Sequence, residues 1–278
     1  MQPIRRDVQF DFPPERIGNW HGDGRATTSF INALSVIFPE GERFFIDSVR
    51  NFRKRITDPE LQQAVTAFIG QEAMHGREHE HWNEHYFARV PAARKIYDFT
   101  NRRLKRWQKW LPKSTQLAMT VGAEHLTAVL GDFILRNPEF IEGHAEVKSD
   151  ATFVAMLKWH AMEETEHKAV AYDVWQTVMR KTPRAYAERM FGLAFMFAAY
   201  WPVVDQLVKE GLKAEAIPFD KSHPEIRAMH HFLYGKNGIF RSLALPLLEY
   251  LKPGFHPWDH DNRELLAQMD AIEAAYAV

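Results

Sequence analysis

Gln71-Glu72-Ala73-Met74-His75 and Glu163-Glu164-Thr165-Glu166-His167 decide how this chain reads. Each stretch contains Glu-x-x-His, and each lies in a region of helical apolar periodicity with no alternation of the strand kind. Residues three apart on a helix lie about one turn apart on the same face, so each pair offers a carboxylate and an imidazole to one point. One such pair is common by chance on charged helices. Two of them, completed by one glutamate from each of two further helices, make a cage for two metal ions.

The single glutamates are found by working outward. Glu42 falls in the stripe Ile31, Ser35, Phe38, Phe45, Val49, while Glu40 projects to the opposite side, about 160° away. Glu124 falls in the stripe Leu117, Thr120, Thr127, Gly131, Leu135. A carboxylate inside an apolar stripe needs a partner, because an unpaired buried charge costs several kcal/mol, and a metal ion is one. Depth supports the grouping. Glu42 lies 15 residues before Thr57 and Glu72 lies 14 after Asp58, so an antiparallel hairpin turning there brings them level. Glu124, 12 residues before Arg136, and Glu164, 15 after Ser149, also meet.

Periodicity and punctuation predict a Pro-rich extended leader over 1–24 and helices over about 27–55, 60–88, 91–110, 114–136 and 149–181. The third of these crosses over between the second and fourth. A sixth, long helix over about 184–211 opens an accessory region, 184–278, of shorter helices and loops. With no repeat and no low-complexity linker, residues 1–278 read as a single domain. The run Met190–Val204 is shorter than the roughly 20 residues of a bilayer span, and Pro202 interrupts it. It reads first as a buried core helix, then as a face for a homodimer or for a membrane.

Composition narrows the chemistry. Hydrophobic residues make up 46% of the 278, enough for a thick core. There is no cysteine, which excludes disulfides, iron–sulfur clusters and thiol catalysis. A formal net charge of -1 favours neither nucleic acid nor an anionic surface globally, and Arg102-Arg103-Leu104-Lys105-Arg106 reads as a solvated helix face. The start, Met1-Gln2-Pro3-Ile4-Arg5-Arg6, lacks an apolar signal core, so a cytoplasmic location is expected.

Further histidines surround the motifs. His160 precedes Glu164 by four, on the same face, and is either an additional ligand that makes the site asymmetric or a core histidine beside it. His79, one turn beyond His75, reads as pocket wall or support for a ligand, and His125, rotated away from Glu124, as packing or support. Glu163, turned about 100° from Glu164, is a poorer ligand. His81 and His85 read as solvated.

At these residues the chain resembles the ferritin-like di-iron carboxylate superfamily. The resemblance implies an all-α four-helix bundle with one long helical crossover, here with additional C-terminal helices. Together with Phe38-Pro39-Glu40-Gly41-Glu42-Arg43-Phe44-Phe45, the two motif stretches resemble more narrowly a bacterial family described as predicted metal-dependent hydrolase, over nearly the whole chain from about Phe12. The histidine four before Glu-x-x-His is similar to the ligand pattern of p-aminobenzoate N-oxygenase, where an additional histidine joins the di-iron ligands. The expected ligands are Glu42, Glu72, His75, Glu124, His160, Glu164 and His167, holding two iron ions, with manganese as the alternative. The expected activity is an O₂-dependent oxygenase or oxidase acting on a small or apolar substrate, with an electron donor not identifiable from sequence. Gly122, Ala123, Ala128 and Gly131 are expected to leave room for O₂ and substrate. A binuclear hydrolase is the alternative, and a non-enzymatic iron protein the third reading.

Overall fold

The computed structural model describes residues 1–143 and 147–278, and the described chain is all-α. The helices are α1 (Arg25–Arg50), α2 (Pro59–Arg89), α3 (Pro91–Trp110), α4 (Lys113–Arg136), the single turn α5 (Glu139–Glu142), α6 (Ala151–His167), α7 (Val170–Val178), α8 (Pro183–Ala214), α9 (Pro224–Tyr234), α10 (Ile239–Glu249) and α11 (Met269–Tyr276). Their starts follow local chemistry. The Asp58 and Asp150 side chains accept from the amides of Glu60 and Thr152, and Pro59 begins α2 where its missing N–H costs nothing. Thr182 and Pro183 do the same for α8.

Helices α1, α2, α4 and α6 surround the polar centre. α1 packs along α2, α4 lies between α6 and α8, and α3 crosses over against α1, α2 and α8. Two apolar clusters flank that centre. One contains Phe10, Phe12, Trp20, Trp82, Phe153 and Trp159. The other contains Phe44, Phe68, Leu117, Met119, Tyr172 and Trp175. Along each of the four helices the motif residues fall where one cluster gives way to the other, so a polar layer is sandwiched between two dry ones.

Several expectations change. The helix expected over 149–181 breaks immediately after His167, at Lys168 and Ala169. There the Thr165 hydroxyl bonds back to the Ala161 carbonyl, which favours a bend, and the Lys168 ammonium is held by the His260 carbonyl and the Asn262 side chain. The leader is extended only to Pro13, then turns through a 3-10 segment, Pro14–Arg16. It is no loose appendage: Val8, Phe10, Phe12 and Trp20 are fully buried, and Gln9 bonds to Tyr276 near the other end of the chain. Pro202 lies inside α8, which continues through it. The first helix stops at Arg50, ahead of a separate 3-10 turn, Arg53–Arg55.

Candidate metal centre

The seven expected ligands converge. Glu42 comes from α1, Glu72 and His75 from α2, Glu124 from α4, and His160, Glu164 and His167 from α6. All are buried. Their donor atoms form overlapping groups, each within 4.8 Å: Glu42 with Glu72 and His75, His75 with His160 and Glu164, and Glu72 with Glu124 and His167. Glu40 stays outside, bound to Tyr97 and Arg43, as its phase implies.

The arrangement has two halves. Glu164 Oε1 lies 3.0 Å from His160 Nε2 and 3.9 Å from His75 Nδ1, while its Oε2 lies 3.5 Å from His167 Nε2. Glu72 likewise faces Glu42 and His75 on one side and sits 3.1 Å from His167 Nε2 on the other. The two motif glutamates are therefore shared between the halves. His160 gives the Glu42 half an imidazole that the Glu124 half lacks, so the centre is asymmetric.

Outside the donors lies a supporting layer that the sequence reading missed. His75 donates from Nε2 to Glu163 at 3.1 Å, leaving Nδ1 toward the centre. His167 donates from Nδ1 to Gln71 Oε1 at 2.9 Å, leaving Nε2 inward. Gln71 in turn donates to Glu166. Arg6 of the leader, itself buried, pairs with Glu163 at 3.3 Å and with Glu166 at 2.7 Å. One cation thus anchors the carboxylates that orient both motif histidines. Glu163 lies outside the converging groups, and its carboxylate accepts from His75. The signal for it was three acids, Glu163, Glu164 and Glu166, crowded on one buried helix; nothing local marked Arg6.

His79 also converges, its ring lying within 4.8 Å of donor atoms of Glu42 and His160, and its hydrogen bonds are specific. Ser35 Oγ donates to Asn83 Oδ1 at 2.8 Å, so it accepts from His79 Nδ1 at 2.9 Å. His79 Nε2 then accepts from His160 Nδ1 at 2.9 Å, which turns His160 Nε2 toward Glu164 Oε1 at 3.0 Å and Glu42 Oε1 at 3.9 Å. Thr127 donates to Glu164 Oε2 at 2.6 Å. His125 points elsewhere, stacking on Tyr250 and bonding to the Pro246 carbonyl, so its role is packing. His81 and His85 are half-buried rather than solvated, because the leader's Phe12 covers His81.

The residues fit a pair of cations. Both carboxylate oxygens of Glu42, Glu72 and Glu124, with His75 Nδ1 and His167 Nε2, are buried and lack a hydrogen-bond partner. These are the atoms that face the centre, and leaving them bare would be costly. Four carboxylates with neutral imidazoles balance two divalent charges. Gly76 contributes space: a Cβ there would come within 3.1 Å of Glu42 Oε2. Without cations, burial and then the charges of Glu72 and Glu164 push the Glu42 and Glu124 carboxyls well above their ordinary range. Burial raises Glu72 as well, against His167. Burial, then His160, holds His75 well below the usual imidazole value.

An apolar cavity reaches this centre. It runs among Leu34, Phe38, Leu130 and Ile134, and ends on His79, His160 and Glu164. Phe30, Leu34, Phe38, Thr127 and Leu130 also wall a second cavity, between α1, α4, α8 and α10, so the two adjoin. Of the small residues near Glu124, Gly131 lines the first cavity and Gly122 and Ala123 the second, as expected, and two of them also set helix spacing. A Cβ at Gly122 would strike the Leu193 backbone of α8 at 2.6 Å, and one at Gly131 would meet the Ala161 carbonyl at 3.0 Å. They allow helices to approach closely, and the cavity lies beside them.

No curated protein and no solved structure matches the chain. The model of a family described as predicted metal-dependent hydrolase matches residues 4–261, a span that takes in Arg6, all seven converging residues and the walls of both cavities. On that match the chain belongs to the predicted metal-dependent hydrolase family.

Proposed function

We propose that the chain is a two-metal hydrolase acting on an apolar substrate. The observation that carries this reading is the set of buried, unpartnered carboxylate and imidazole atoms facing one another in a member of a metal-dependent hydrolase family. Glu42, His75 and His160 would hold one ion, Glu124 and His167 the other, with Glu72 and Glu164 between them. The oxygen and imidazole donors suit iron or manganese. Bound there, the ions supply Lewis acidity and a lowered water pKa.

The chain's own residues do the rest. Aliphatic and aromatic walls take up the body of the substrate and exclude bulk water. The Ser35–His79 relay fixes the tautomer of His160 at the cavity's inner end, and Thr127 orients Glu164. Oxygenase or oxidase activity, first in the sequence reading, becomes the second reading. It is favoured by the third imidazole and by a cavity whose wall offers no acid or base apart from His79, His160 and Glu164. The test is to assay p-nitrophenyl esters of increasing acyl length with iron- or manganese-loaded protein, without O₂. Turnover that rises with chain length and disappears in Glu164→Ala is expected. Oxygen uptake by the reduced protein, with no ester turnover, would replace hydrolysis by the second reading.

A further inference from the structure

The outer face formed by α3 and α8 has no part in the centre, and its chemistry is distinctive. α8 is 32 residues long, and only 33% of its most apolar window is buried, against 67% for α4. α4 is a core helix. α8 packs one side on α1 and α4 and turns the other outward. Between Arg184 and Asp205 its exposed positions carry no charge; Phe191, Ala194, Phe197 and Pro202 are among them.

α3 borders this strip. Arg103 donates to the Ala199 carbonyl of α8, and the Trp107 ring lies 4.9 Å from that of Phe195. At about 100° per residue, the adjoining solvent-side row of α3 collects Phe99, Arg102, Arg106, Lys109 and Trp110. Phe99 is 55% exposed and Trp110 is 74% exposed. Arg102, Lys105, Arg106 and Lys109 are exposed, and none has a carboxylate partner among the described residues. Since the whole chain carries only -1, this positive charge is a local concentration. The second apolar cavity reaches the same side of the molecule, between Phe197, Trp201 and Phe240.

An uncharged apolar strip edged by tryptophan, arginine and lysine matches the layers of a lipid–water interface: acyl chains, the headgroup boundary and anionic phosphate. A second copy fits less well, because a two-fold contact through this face would set one basic row near the other. We propose that the α3–α8 face docks on an anionic membrane surface, with α8 lying in the plane of the interface and the cavity mouth against the lipid. The docking goes beyond the hydrolase reading and is tested without any assay of catalysis.

The experiment is flotation of the full-length, metal-loaded protein with vesicles of phosphatidylcholine alone or mixed with phosphatidylglycerol. Binding to the mixed vesicles, weakened by salt and much lower on phosphatidylcholine alone, is the expected result. Joint Arg102→Glu, Arg106→Glu and Lys109→Glu should lower partitioning about a hundredfold or more. Phe197→Ser should lower it without any change of charge. Circular dichroism and metal content should match the wild type in both variants. Absence of flotation with mixed vesicles, or a triple variant that floats like the wild type, would overturn the proposal. So would a concentration-dependent dimer that Phe191→Ser dissociates while flotation is absent, which would assign the face to a second copy.

Discussion

Glu72 and Glu164 each face both halves of the centre, whereas Glu124 faces one. Glu72→Ala or Glu164→Ala should therefore abolish loading of both ions. Glu124→Ala should retain about one, and Glu40→Ala, whose partners are Tyr97 and Arg43, should retain both. Elemental analysis of iron-supplied protein decides this, and equal loss in Glu40→Ala would contradict the geometry. His79→Phe leaves the donors in place but frees the tautomer of His160, so affinity for one ion should fall by about 10- to 100-fold. Burial holds the carboxyls of Glu42, Glu72 and Glu124 above their ordinary range in the metal-free protein, so cations must displace protons. Loading should release protons, and affinity should fall as pH falls. The contribution of these three carboxyls to the stability of the metal-free protein should move the opposite way. It should rise as pH drops from the raised values toward the ordinary carboxylate range, because they bind protons more tightly folded than unfolded. His75 and His79, held low by burial, contribute in the other sense. Calorimetry in buffers of different ionisation enthalpy measures the release, and a proton count of zero would refute it.

The leader is the element whose role is least apparent from its own composition. Its Arg6 is the shared cation of Glu163 and Glu166, which steady His75 directly and His167 through Gln71. Removing one partner of a buried ion pair costs about 3–5 kcal/mol. At roughly 2–4 °C per kcal/mol for a chain somewhat smaller than this one, Arg6→Met should lower the melting temperature by about 10 °C. Metal affinity should fall with it. If Arg6→Met melts like the wild type, the leader is not a support. Between α1 and α2 the close point is Gly76. A methyl group there would press on Glu42, so Gly76→Ala should impair loading while leaving helical content unchanged by circular dichroism.

In the whole molecule the polar layer lies between two apolar clusters, so the centre and the fold stabilise one another. Ions that bind only the folded chain stabilise it by mass action, about 4 kcal/mol at a thousandfold excess over the dissociation constant. Chelation should lower the melting temperature by about 10 °C, and the loss should be smaller in Glu164→Ala, which has no ions to lose. Differential scanning fluorimetry with and without chelator measures both, and identical shifts would separate the centre from stability.

Much of this was legible in the amino-acid order because helices convert spacing into geometry. Glu72 with His75, Glu164 with His167, and the stripe positions of Glu42 and Glu124 follow from about 3.6 residues per turn, and the turn at Asp58 set their common depth. The all-helical class followed from the same periodicity. Tertiary structure alone decided the rest. Arg6 reaches Glu166 across 160 residues, and no local pattern encodes such a contact. His160 turns Nε2 inward because His79, Ser35 and Asn83, on two other helices, hold its Nδ1. The break after His167 depends on Lys168 meeting His260 and Asn262, and the close approach of α8 to α4 depends on Gly122 meeting Leu193. Periodicity specifies which face of a helix is buried; which neighbour buries it is set only when the whole chain packs.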